Sequence, residues 1–184
     1  MISTSPCAII CRVTDSLFDG PVVFLDVETT GGNASRNRIL EIGLVAARGG
    51  RLEYEWTTLV NPGEPIPLAI QHFTGITDEM VRHAPAFEDI AVELERHLEG
   101  RLFVAHNARF DYGFVRGELR RLGRRFASRV ACTVKLSRKL YPELPRHNLD
   151  ALVEYHGLHC DARHRALPDA QALWQFWQVL RARH

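Results

Sequence analysis

Residues Pro21 to Gly31 read PVVFLDVETTG, an apolar run that meets two acids, Asp26 and Glu28, and closes on Thr-Thr-Gly. An apolar run bounded by turn residues is the pattern of a strand buried on both faces. Side chains alternate along a strand, so Asp26 and Glu28 project from one face and Val27 from the other. Neighbouring carboxylates repel, and burying them unpaired is costly or forces one to keep a proton. A divalent cation resolves that conflict, and hard oxygen ligands suit Mg²⁺ or Mn²⁺. A bare D-x-E is equally the solvated end of an edge strand. Whether the chain supplies further ligands decides between the two.

The chain has 184 residues, enough for one domain with a substantial core. A formal net charge of +1 neither favours nor excludes a polyanionic partner, but the charge is unevenly spread. Between Arg109 and Lys139 the basic residues Arg109, Arg116, Arg120, Arg121, Arg124, Arg125, Arg129, Lys135, Arg138 and Lys139 face only Asp111 and Glu118. The first hundred residues hold most of the acids, a polarity that suits a polyanion lying beside a carboxylate cluster. Cys7, Cys11, Cys132 and Cys160 form no C-x-x-C pair. Cys7 and Cys11 have a zinc-like spacing, but no second pair follows nearby. Reduced thiols, no basic-then-apolar leader and no membrane-length apolar run together lead to the expectation of a soluble cytoplasmic chain.

Residues 1–20 carry no clear period and form an N-terminal extension of undefined structure; residues 21–184 read as one domain. After the opening strand, the polar turn GGNASRN leads to Arg38–Arg48 (RILEIGLVAAR), a second buried strand. Gly49-Gly50 is a hairpin turn, and Arg51–Val60 is a third strand richer in Tyr, Trp and Thr. A three-stranded antiparallel meander is the expectation. AIQHFTGIT then predicts a short helix stopped by Gly75, Thr77 caps another, and Pro85 opens a longer amphipathic helix that Gly100 ends. RLFVAHN is a short strand, followed by a helix over about Ala108–Leu122 and a last strand within Arg129–Thr133. Helices over Val134–Leu140, Asn148–His156 (with Asn148 as the cap) and Asp169–Ala182 complete the chain. The whole is an α/β fold, a mixed five-stranded sheet of three antiparallel and two parallel strands flanked by helices.

Three further pieces align with the opening strand. His106-Asn-Ala-Arg-Phe-Asp111 puts Asp111 in the first turn of the helix after RLFVA, beyond the carboxyl end of a strand, where open α/β sheets carry their sites. His164-Arg-Ala-Leu-Pro-Asp169 puts Asp169 at the start of the last helix, with Pro168 as its initiating residue and His164 on the preceding loop. Asp26, Glu28, Asp111 and Asp169 are thus each expected at an element end from which they could reach one point. FLDVETTG, HFTGITDE, AHNARFDYGF and HRALPDA together resemble the DEDDh 3′–5′ exonucleases, most of all the epsilon proofreading subunits of bacterial DNA polymerase III. The resemblance spans Pro21 to the C-terminal helix. The five-residue step from His164 to Asp169 is that of the histidine branch.

That resemblance implies a ribonuclease H-like fold and release of nucleoside monophosphates from DNA 3′ ends. It implies two Mg²⁺ (or Mn²⁺) ions, held by Asp26, Glu28, Asp111 and Asp169, with Asp26 shared between them. Glu28 and His164 would be catalytic, His164 as the general base, since imidazole titrates near working pH. Two cations about 3.5–4 Å apart activate water and stabilise the leaving oxygen. Thr29, Thr30 and Gly31 follow the metal-bearing strand and should meet the terminal nucleotide. The resemblance adds Phe73, Asn107 and Phe110, whose aromatics offer stacking faces that accept any base. His106 would orient the Asp111 loop.

Two departures bear on partners. Thr74-Gly75-Ile76 stands where the polymerase subunits have His-Gly-Ile, and the sequence that follows the last helix leads to the expectation of no polymerase-recruiting tail. Gln171–Phe176 loosely resembles a sliding-clamp motif, but Ala170, Leu173, Trp174 and Trp177 read better as the buried stripe of that helix. The expected partner is therefore a single-stranded or frayed 3′ end, DNA before RNA, and no membrane. An RNA-trimming exoribonuclease is the alternative, since nothing in the sequence reads a 2′-hydroxyl. A phosphatase of the haloacid dehalogenase type would need Asp where Glu28 stands, and a non-catalytic binding module would have lost a carboxylate or His164.

Overall fold

A computed structural model describes residues 18–183. Five strands, β1 (Pro21–Thr29), β2 (Ile39–Arg48), β3 (Arg51–Leu59), β4 (Leu102–Ala105) and β5 (Val130–Cys132), form one sheet in the order β3-β2-β1-β4-β5. β1, β2 and β3 pair antiparallel, while β4 joins β1 and β5 joins β4 in parallel. This is the mixed sheet expected from the sequence. The β2–β3 reversal falls on Gly49 and Gly50, both at positive φ (56° and 73°), as a tight hairpin turn requires.

The helices are α1 (Leu68–Thr74), α2 (Asp78–Val81), α3 (Phe87–Leu98), α4 (Arg109–Arg121), α5 (Thr133–Leu140), α6 (Leu149–His156) and α7 (Ala166–Arg183). Gly75 ends α1 in the left-handed conformation and returns its N–H to Gln71 O, and Thr77 Oγ1 accepts from Met80 N at the start of α2. Odd-numbered β1 residues Val23, Leu25 and Val27 pack with α3 and α4 through Leu94, Phe114 and Leu119. Even-numbered Val22 and Phe24 pack with α6 and α7 through Leu152, Phe176 and Trp177. Asp26 and Glu28 continue that even face, so the alternation that fills two cores also aims both acids towards the start of α7.

Three expectations change. α7 begins at Ala166, so Pro168 is its third residue and not its first. A proline is tolerated there because the N–H groups of a first turn have no intrahelical partner. Asn148 precedes α6 but its side chain caps nothing; its Nδ2 reaches Asp150 Oδ2 at 3.4 Å. The basic stretch is partly structural. Arg124 pairs with Glu95, and Arg121 with the buried Glu118, which also takes Arg38 Nε and Ile39 N. The extension expected over residues 1–20, with Cys7 and Cys11, lies outside the described residues except for its end. There Phe18 stacks edge-on against Trp177, with ring centroids 4.8 Å apart.

Candidate active site

The first turn of α7 packs on β2 at Gly43. In the β1–β2 register Gly43 stands opposite Asp26, and Glu41 opposite Glu28. A methyl group at Gly43 would overlap the Ala166–Leu167 peptide, so only glycine lets α7 sit down on the sheet. Glu41 then fastens it. Its buried carboxylate takes Arg165 through three contacts (2.6, 3.0 and 3.2 Å) and the Ala166 N–H at 2.9 Å. A fork-shaped guanidinium pair plus an acid at a helix N-terminus is a strong local lock. Gly43→Ala is expected to cost about 1–3 kcal/mol of stability, as overpacking does. Because α7 carries Asp169, its activity should fall far more than its folded fraction, which denaturant unfolding and a rate assay on the same sample measure.

With α7 so placed, oxygens of Asp26, Glu28 and Asp169 all lie within 4.8 Å of one another. Asp111 approaches from α4. It is buried; its Oδ1 accepts the Val27 N–H at 3.3 Å and its Oδ2 has no partner among the described residues. A buried carboxylate oxygen without a donor is unfavourable unless a cation completes it. Burial and mutual repulsion push these acids upward: Asp26 well above the usual carboxylate range, and Glu28 to about 7 through burial and the nearby Glu41. Asp111 is raised mainly by burial. An all-oxygen, charge-strained donor set fits a hard divalent cation, which would relieve all three.

A folded-state carboxylate raised above its unfolded value holds a proton that the unfolded chain has released. Metal-free stability should therefore fall as pH rises from about 4.5 to about 7, the interval over which Glu28 is displaced, with Asp26 and Asp111 acting in the same direction. Metal binding removes that penalty. Thermal melts in EDTA and in Mn²⁺ should diverge with rising pH, and parallel curves would contradict the assignment.

His164 stands outside this carboxylate group, at φ 60° on the loop before α7, with its ring against Phe73 (centroids 4.1 Å apart). Phe73 is largely exposed. On the other side Asn107, also left-handed at φ 62°, and Phe110 line a cleft of about 230 Å³ with Gly32 and Ala34. Thr29 Oγ1 donates to Gly31 O at 2.8 Å. Thr30 Oγ1 donates to Glu64 and accepts from Arg38 N, so both threonine hydroxyls brace the turn after β1. His106 is half-buried with Nδ1 3.0 Å from Thr133 Oγ1, and desolvation pushes it down to about 4, so it is neutral at pH 7. The sequence reading missed Glu41, Gly43, Arg163 and Arg165. A lone glycine inside the buried strand ILEIGLV was the available signal for Gly43.

A mixed sheet whose central strand carries two acids that converge with one from α7 offers a donor set that could hold a divalent cation, an arrangement suited to hydrolysis. The sequence model of the exonuclease family (RNase_T) matches residues 23–176. The chain belongs to that exonuclease family, which sets aside the phosphatase reading. It is 32% identical over 160 residues to DNA polymerase III subunit epsilon of Aquifex aeolicus, covering 86% of this chain and 79% of that one. It is 35% identical over 164 residues to the PolC-type DNA polymerase III of Caldanaerobacter subterraneus subsp. tengcongensis, covering 89% of this chain but only 12% of the relative. The chain thus spans about a tenth of the length of its PolC-type relatives. Exonuclease X in complex with 5′ overhanging duplex DNA superposes with a TM-score of 0.69 at 27% identity, over 86% of this chain and 92% of that one. E. coli exonuclease I with an oligonucleotide gives 0.82 at 18% identity, over 90% and 42%, a likeness of fold.

Proposed function

We propose that this chain is a 3′–5′ exonuclease that shortens DNA from single-stranded or frayed 3′ ends, releasing nucleoside monophosphates. The observation that carries this reading is the convergence of Asp26, Glu28 and Asp169 within 4.8 Å, beside the unsatisfied Asp111. Asp26, Glu28, Asp111 and Asp169 would hold two Mg²⁺ or Mn²⁺ ions. When bound, such ions neutralise the scissile phosphate and make a coordinated water acidic enough to attack it.

The chain's own residues do the rest. His164 takes the proton of the attacking water after turning from Phe73 towards the carboxylates; the loop it stands on allows that turn. Phe73 offers an exposed face for the terminal base, and the Thr29–Gly31 backbone forms the floor below it. Asn107 and Phe110 line the cleft at the other side, where the next nucleotide would lie. The epsilon and PolC-type relatives named for DNA polymerase III, and the exonuclease X structure solved with DNA, support DNA before RNA as substrate. On this reading residues 21–184 form the exonuclease domain. The bacterial polymerase relatives support a cytoplasmic place of action, and association with a polymerase is compatible with them. Among the described residues no helix is long and apolar enough to cross a membrane.

The test is incubation with 5′-labelled single-stranded DNA, its RNA counterpart and a frayed duplex, each with Mn²⁺ or with EDTA. A ladder of products shortened from the 3′ end of DNA, present with Mn²⁺ and absent with EDTA, is expected. Cleavage at internal positions, or of RNA alone, would overturn the reading.

A further inference from the structure

Arg163 lies on the loop between α6 and α7, immediately before His164. Its Nη1 donates to Asp169 Oδ1, and its Nε donates to Asp150 Oδ1 at 2.6 Å. The guanidinium therefore bridges the first turns of α6 and α7. It covers a buried acid of the cluster with one edge and holds an exposed acid outside it with the other. Among the described residues no other cationic side chain forms an ion pair with Asp26, Glu28 or Asp169. Its field also reaches Asp26 and Glu28, both of which it pulls downward against the upward push of burial. A guanidinium is always charged, so this contribution is present at any working pH.

We propose that Arg163 is the resident counter-cation of the metal-free cluster and competes with divalent metal for Asp169. The proposal rests on the reading of the cluster as a metal centre. A carboxylate oxygen that accepts an arginine N–H offers less to a metal, and a positive charge at hydrogen-bond distance repels an arriving dication. Metal entry at Asp169 displaces the guanidinium, and Asp150 keeps it at the rim. Arg163 and His164 are neighbours on one loop, so clearing Asp169 moves the segment that carries the base. Metal occupancy and placement of His164 are thereby linked.

The test measures Mn²⁺ binding, not turnover. Free Mn²⁺ is followed by electron paramagnetic resonance in titrations of the wild type, Arg163→Gln and Asp169→Asn, and thermal melts are recorded in EDTA and in saturating Mn²⁺. Arg163→Gln is expected to bind Mn²⁺ more tightly, by about fivefold or more, as removal of one opposing charge at short range implies. It should also melt earlier than wild type in EDTA and gain more from Mn²⁺. Unchanged or weaker binding by Arg163→Gln, with wild type and Asp169→Asn clearly different, overturns the competition and leaves the metal centre standing. No Mn²⁺ binding by any of the three overturns the metal centre and the competition together.

Discussion

Asp26→Asn is expected to lose about 10³-fold or more of the DNA-shortening rate while folding at least as well as the wild type in EDTA. Asp26 stands at the end of the central strand, on the face shared by Glu28 and α7, with its carboxylate among the oxygens that converge there. Stabilisation of phosphoryl charge by a bound cation is worth several kcal/mol, and each ~1.4 kcal/mol is about tenfold in rate. The amide keeps the shape and removes the charge. In the metal-free protein that charge is a burden: burial, Asp111, Glu28 and Glu41 all raise the Asp26 carboxyl. Its removal should therefore raise, or leave unchanged, the melting temperature in EDTA and abolish most of the gain from Mn²⁺. Activity lost through unfolding would show the opposite pattern, a lowered melt in EDTA.

His164→Ala is expected to slow cleavage by about 10²–10⁴-fold, the usual worth of a positioned acid or base. Its signature differs from that of Asp26→Asn. His164 lies outside the carboxylate group and against Phe73, so Mn²⁺ binding and the melt in Mn²⁺ should stay near wild type. The loss should fall on kcat more than on KM. Loss of Mn²⁺ binding in this variant would make His164 a ligand and contradict its assignment as the base.

The antiparallel meander, the placement of both β1 acids on one face and the positions of Asp111 and Asp169 at helix starts were all legible in the sequence. Each follows from local period and punctuation: five apolar residues before Asp26, Gly49-Gly50 at the hairpin, Gly75 and Gly100 after helices. What brings the pieces into contact was not. Glu41 and Arg165 are separated by 124 residues, and their pairing depends on α7 crossing β2 at Gly43, a register no local pattern encodes. Glu118 is similar: in sequence it reads as a solvated acid on a basic helix, yet it is buried and fastens Arg38 and Arg121. α7 starting at Ala166, earlier than expected, has the same origin, since its first N–H is capped from β2 and not from its own loop. Arg163, one more arginine in HRALPDA's approach, acquires its meaning only where α6 and α7 place Asp150 and Asp169 on either side of it.

The central claim is that four carboxylates, two near the end of β1 and one each at the starts of α4 and α7, form one metal-dependent cleavage centre. Crystals grown with Mn²⁺ and a deoxynucleoside monophosphate, measured at the manganese absorption edge, test it most directly. Two anomalous peaks are expected among Asp26, Glu28, Asp111 and Asp169, with the phosphate against them and both peaks diminished in Asp26→Asn. Manganese bound elsewhere, or a nucleotide seated away from these four residues, would contradict the account.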